Sequence, residues 1–310
     1  MIKLITHNDL DGIGCEVVFK LLYGDKADVL SVGNNEVNDI VEQSLEELRF
    51  GIYEQLFITD LSVNEELAEI INKEGLKVQL LDHHPSATHL NKYSFANVTT
   101  HMLDGLKDSG THLSFIYLLD KLLNKGLYNE SLEDFVELVR QYDTWEWKEI
   151  FRNEEAKQLS DLLYILGREK FVNDMVHRIK DNKELFSETD KLILEIKQKE
   201  IDNYINIKEK ELIIKDFKLY KIGIVMADSY TSELGNILCE RHEELDFVAI
   251  IKKETVSLRT VKDDINLTDI AKQFGGGGHP KASGFPLNNV KLNNFINDIF
   301  DIKEVIKCQK

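Results

Sequence analysis

Three polar clusters in this chain each follow a short apolar run. His7-Asn8-Asp9-Leu10-Asp11-Gly12 follows KLIT, Asp60 follows QLFIT, and Asp82-His83-His84 follows KVQLL. Together they carry the carboxylates of Asp9, Asp11, Asp60 and Asp82 and the imidazoles of His7, His83 and His84. Carboxylates brought close repel, and each resists ionising unless a cation balances it. Mixed carboxylate and imidazole donors suit divalent metals. Two such ions, about 3.5–4 Å apart, can share a bridging carboxylate and stabilise both the attacking and the leaving oxygen of a phosphoryl displacement. Taken singly, Asp60 or Asp82 after a strand reads as a helix N-cap, and HNDLDG as a turn. Taken jointly, the clusters are better explained by a metal site.

That site needs elements that bring the clusters to one place. Strands are predicted over Ile2–Thr6, Ala27–Val32, Gln55–Thr59 and Lys77–Leu81, with helices over about 12–22, 36–48 and 64–73. Alternating strands and helices imply a parallel sheet with covered faces. Ligands of such sheets bind outside the carboxyl ends of the strands, which is where all three clusters fall. Two further helices are expected over His112–Leu123 and Ser131–Arg140. From Glu184 to Lys215 the sequence is dense in Lys, Glu and Ile and contains no Pro or Gly, which reads as one long helix joining two domains. A second alternating unit follows. It has strands over Lys221–Ala227, Phe247–Lys252 and Thr255–Thr260, helices over Thr231–Arg241 and Leu267–Phe274, and a closing helix over Leu292–Ile306. The expected fold class is α/β: an N-terminal parallel-sheet domain (1–183), a helical linker (184–215) and a smaller C-terminal α/β domain (216–310).

The 310 residues suit two domains of ordinary size. With 38 basic and 55 acidic residues the formal charge is −17. Long duplex nucleic acid is usually held by basic surfaces, so a phosphate-rich ligand would have to be gripped locally, which favours a small one. The second domain offers such a grip. Gly275, Gly276, Gly277 and Gly278 let backbone amides approach an anion as a nest, His279 can donate to a phosphate or a base, and Arg259 can clamp a phosphate bidentately. Three scattered cysteines, Cys15, Cys239 and Cys308, argue against a disulfide framework. There is no apolar run of membrane-spanning length and no signal-peptide pattern at the N-terminus. The protein is therefore expected in the cytoplasm, away from membranes; a dimer is compatible with the sequence.

The ordered set HNDLDG, TDLS and LDHHPS resembles the signature of the DHH superfamily of phosphoesterases, and Asp143 in QYDTW fits its fourth motif. The string from Phe274 through GGGGH to Phe285 resembles the DHH-associated domain of one subfamily, whose Ser-x-Arg strand is matched by Ser257 and Arg259. The resemblance implies that Asp9 and Asp60, with His7, hold one metal and that Asp11, Asp60, His83 and Asp143 hold the other, with Asp60 bridging. It implies that Asp82 orients the histidines from behind and that His84 faces the scissile phosphate or the water. The implied ions are manganese, and the implied reaction is hydrolysis of short oligonucleotides by a metal-activated hydroxide, in the manner of nano-RNase members. Alternatives are a 3′-phosphoadenosine 5′-phosphate phosphatase, a phosphodiesterase for cyclic or linear dinucleotides, and a non-catalytic nucleotide sensor. His112 near a Gly-Thr helix start is a candidate substrate contact. Trp145 and Trp147, which flank the fourth motif, are expected to pack.

Overall fold

The computed structural model describes residues 1–287. The predicted closing helix over Leu292–Ile306 and the third cysteine, Cys308, lie outside them. The chain divides into two compact units, with the division at Leu194/Glu195.

The first unit is built on five parallel strands: β1 (Ile2–Thr6), β2 (Ala27–Ser31), β3 (Gln55–Thr59), β4 (Val78–Asp82) and β5 (Ala96–Val98), in the order β2-β1-β3-β4-β5. The three strands that carry the polar clusters, β1, β3 and β4, are therefore neighbours and run the same way. Helices α1 (Leu10–Tyr23), α2 (Val37–Arg49) and α3 (Glu65–Glu74) alternate with them, and α4 (Gly110–Asn124), α5 (Glu130–Asp143), α6 (Glu154–Leu166) and α7 (Arg168–Lys180) follow. One core joins α1 to β1, α4, α5, α6 and α7; the other packs α2 and α3 on the opposite side of the sheet. Helix α1 is buried along almost its whole length, and so reads as apolar nearly all round. Its Phe19 meets Phe57 of β3 edge-on at 4.8 Å between ring centroids. Truncating such a ring to alanine costs about 3–5 kcal/mol.

Helix α8 (Glu188–Glu209) starts in the first unit and continues into the second. It is shorter than the predicted 184–215. The chain turns after Lys210, and β6 (Ile213–Phe217) pairs antiparallel with β7 (Tyr220–Met226). The second unit continues with α9 (Thr231–Arg241), β8 (Phe247–Ile251), β9 (Thr255–Arg259), α10 (Leu267–Lys272), β10 (Gly277–His279) and β11 (Ala282–Pro286). Its sheet order is β10-β11-β9-β8-β7-β6, with only the β7–β8 pair parallel. Helices α8 and α9 cover one face, and α10 lies against the other.

Candidate metal centre

The apolar run of β1 ends at Thr6, and the chain turns into α1 through His7 and Asp9. Asp9 is the N-cap of α1: its Oδ1 accepts the Gly12 amide at 3.1 Å. Its other oxygen, Oδ2, lies 2.7 Å from His7 Nδ1. The cap reading and the ligand reading of Asp9 are thus compatible, each using one oxygen. His7 Nδ1 is also 3.7 Å from Asp60 Oδ2, so His7 belongs to the cluster.

Asp60 follows β3 with a left-handed backbone (φ 55°) that aims its side chain into the space between the ends of β1 and β4. A non-glycine residue in this region is uncommon and tends to mark a functional site. Asp60 is 1% exposed. Its Oδ1 lies 3.2 Å from His83 Nε2, and its Oδ2 is buried with no hydrogen-bond partner among the described residues. Burial, then the charges of Asp11 and Asp9, push its carboxyl well above the ordinary range. Asp143, the last residue of α5, is pushed up to about 8 by burial and then by Asp11 and Asp9.

His83 gathers the rest. Its Nε2 is 3.2 Å from Asp60 Oδ1, 3.5 Å from Asp143 Oδ2 and 3.7 Å from Asp11 Oδ2. Asp11 is buried and fixed by the first turn of α4, where Gly110 N donates to Oδ2 at 2.6 Å and Thr111 N to Oδ1 at 2.8 Å. The first two amides of this helix are therefore occupied by an anion of the protein itself. Gly110 is required here, because a Cβ would stand 2.6 Å from Asp60 Cβ. His112, the candidate substrate contact, places Nδ1 2.7 Å from Asp108 Oδ1 and lines a cavity of about 490 Å³ with Thr99, Met102 and Ile116.

Asp82 is fully buried beneath the histidines. Its Oδ1 lies 2.7 Å from His84 Nδ1 and accepts the His83 amide at 2.8 Å, while Oδ2 accepts the Ser62 hydroxyl. Burial alone would raise this carboxyl, but the His84 bond and charge, with Ser62, hold it below the ordinary range. The bond to Asp82 in turn raises His84. Ser62 is a supporting residue that sequence reasoning passed over, although it stands in the TDLS motif itself.

The donor atoms of His7, Asp9 and Asp60 lie within 4.8 Å of one another, as do those of Asp11, His83 and Asp143, and those of Asp60, Asp82, His83 and His84. Neighbouring ligands of a small divalent ion, each about 2.1 Å from it at right angles, are about 3 Å apart. Asp60 and Asp143 sit among like charges, and one buried oxygen of Asp60 has no hydrogen-bond partner among the described residues. The donor set therefore fits divalent metal.

In the second unit, the register aligns the remaining candidates. Arg259 of β9 faces Ala282 of β11, which faces His279 of β10; Ser257 faces Gly284, which faces Gly277. Directly paired residues share a sheet face, so Ser257, Arg259, Gly277 and His279 lie on one side, separated only by small residues. Part of the glycine string is therefore strand. Gly275 turns at φ 77°, and Gly277 and Gly278 enter the edge strand β10. Arg259 donates to Ser232 Oγ at 3.1 Å and to its neighbour's carbonyl, the Leu258 oxygen, at 2.9 Å, and it makes no ion pair among the described residues. Burial lowers its pKa.

A metal-fitting cluster at the carboxyl ends of three adjacent parallel strands, followed by a mixed-sheet unit, defines a phosphoesterase of the DHH type. Residues 224–304 match the DHHA1 domain. The chain is 38% identical over 312 residues to oligoribonuclease NrnB of Bacillus subtilis, covering 98% of this chain and 77% of that relative. The chain belongs to the DHH family of phosphoesterases. Its fold is similar to that of the pGpG-specific phosphodiesterase PggH from Vibrio (TM-score 0.55, 14% identity, 97% of this chain and 98% of that one). It is also similar to exonuclease RecJ bound to manganese (TM-score 0.50, 14% identity, 96% and 88%).

Proposed function

We propose that this protein is a two-metal phosphodiesterase that hydrolyses short oligoribonucleotides, with manganese as the working ion. The observation that carries this reading is the convergence of Asp9, Asp11, Asp60, His83 and Asp143 around one buried carboxylate with an unpaired oxygen. The substrate class follows from likeness to an oligoribonuclease along nearly the whole chain, together with a net charge of −17 that suits a short ligand better than a long one.

In this reading His7, Asp9 and Asp60 hold one ion and Asp11, Asp60, His83 and Asp143 the other. Bound there, the ions would supply positive charge to the reacting oxygens and lower the pKa of a water. Asp60 offers one oxygen to each donor group. Asp82 fixes the His84 ring through Nδ1, which leaves Nε2 of a half-exposed ring to hold or deliver a proton at the scissile phosphate. Ser257, Arg259 and His279, with the amides of Gly275–Gly278, bind substrate phosphates, so that the first unit is catalytic and the second substrate-binding. No helix among the described residues is long and apolar enough to cross a membrane. The reading places the enzyme in the cytoplasm, acting on soluble nucleotides.

The test is hydrolysis of a panel in Mn²⁺: RNAs of two to five residues, a long single-stranded RNA, a cyclic dinucleotide and 3′-phosphoadenosine 5′-phosphate. Preferential loss of the shortest RNAs is expected. Preference for the bisphosphate or the cyclic dinucleotide would keep the metal chemistry and move the substrate. No turnover of any member would favour a sensor.

A further inference from the structure

The two tryptophans of the chain, Trp145 and Trp147, are expected to pack, and only one does. Trp147 is 6% exposed, and its ring stacks on Tyr142 at 6.5 Å. Trp145 is 53% exposed. Its ring leans on Trp147 at 5.8 Å and 38°, so Trp147 backs it from the core side.

The backbone that presents Trp145 is held against local preference. Its φ is 64°, a region that a bulky residue rarely adopts. Hydrogen bonds linking buried Arg140, Thr144 and Glu146 to Lys107 hold it. Arg140, with no exposed surface, donates to Glu146 and to the Lys107 carbonyl, and the Lys107 amide donates to Glu146 Oε1 at 2.9 Å. Lys107 Nζ also reaches the Thr144 carbonyl at 3.4 Å. The residue on either side of Trp145 is thus pinned, and the indole is turned out of the core. A glycine or asparagine would satisfy this turn at lower cost. What the turn gains from tryptophan is a large flat ring.

Its position says what the ring serves. Trp145 comes two residues after Asp143, so its Cα lies within about 7 Å of that of a cluster residue. A base carries no charge and stacks on an aromatic ring whatever the net charge around it. In a chain of −17, stacking provides affinity that a basic surface does not.

We propose that Trp145 is a stacking platform that holds one nucleobase of the substrate beside the metal cluster. This rests on the oligonucleotide reading above. Trp145→Ala is expected to raise KM for an RNA dinucleotide by about tenfold and leave kcat within about twofold, while Trp145→Phe, which keeps an aromatic face, recovers most of the loss. A second readout needs no turnover: adenosine 5′-monophosphate should quench the tryptophan fluorescence of the wild-type chain but not of Trp145→Phe, and ribose 5-phosphate, which has no base, should quench neither. An unchanged KM in Trp145→Ala, or equal quenching of wild type and Trp145→Phe, would overturn the proposal while leaving the oligonucleotide reading intact. Failure of that reading looks different: wild type would cleave a chromogenic phosphodiester and leave the RNA dinucleotide whole.

Discussion

In the first unit Asp11, Asp60 and Asp82 are buried, crowded and fixed from behind; in the second the candidate grip lies along two rows of a sheet with small residues between. Asp11 has both oxygens tied to helix amides, Asp82 is braced by Ser62 and His84, and Asp60 sits in a left-handed turn with Gly110 against it. Arg259 is held only by the Ser232 hydroxyl, the Leu258 carbonyl and close packing on Gly235, and His279 is exposed. The difference follows the two tasks proposed for these units. Ion binding needs repelling charges held in place before the ion arrives, whereas gripping a variable oligonucleotide needs donors on an accessible face. Changes to the cluster in the first unit should therefore act on the chemical step, and changes to the grip in the second, like those at Trp145, on substrate affinity.

The largest expected effect comes from Asp60→Asn. Losing the shared carboxylate should cost several kcal/mol of transition-state stabilisation, about a thousandfold in kcat. In chelator, however, the same variant should melt at or above wild type, because it removes one of several repelling buried charges. A lower Tm in chelator would break the claim that the cluster stores repulsion for an ion. Asp82→Asn comes next. It weakens the fixing of His84 without deleting a proposed ligand of either ion, and should cost about 10–100-fold in activity, with Mn²⁺ stoichiometry unchanged. Smallest is Arg259→Ala, which should raise KM for an RNA dinucleotide by about tenfold and leave a small chromogenic diester unaffected. Equal loss on both substrates would erase the contrast between the units.

The strands that carry the cluster were legible because each is a short apolar run that ends abruptly in polar residues, as KLIT does before His7. The cluster was legible for the same reason: position after a parallel strand fixes where a side chain ends up. Strand β5 was missed, since Ala96–Val98 has three residues and no alternation to read. Strand β6 was absorbed into the long helix because it is an edge strand exposed along nearly all its length, with no buried face to mark it. Helices α6 and α7 went unread although both carry an apolar face. The turn at Trp145 could not be read locally, since the bonds that hold it link Arg140 and Glu146 to Lys107, far back in the chain.

The central claim is that the Asp60 cluster binds a pair of divalent ions. Titration of the full, metal-stripped chain with Mn²⁺, with free ion followed by electron paramagnetic resonance, tests it directly. The account predicts two ions bound per chain in wild type and fewer in Asp60→Asn. No binding by wild type, or the same binding by both, would contradict it.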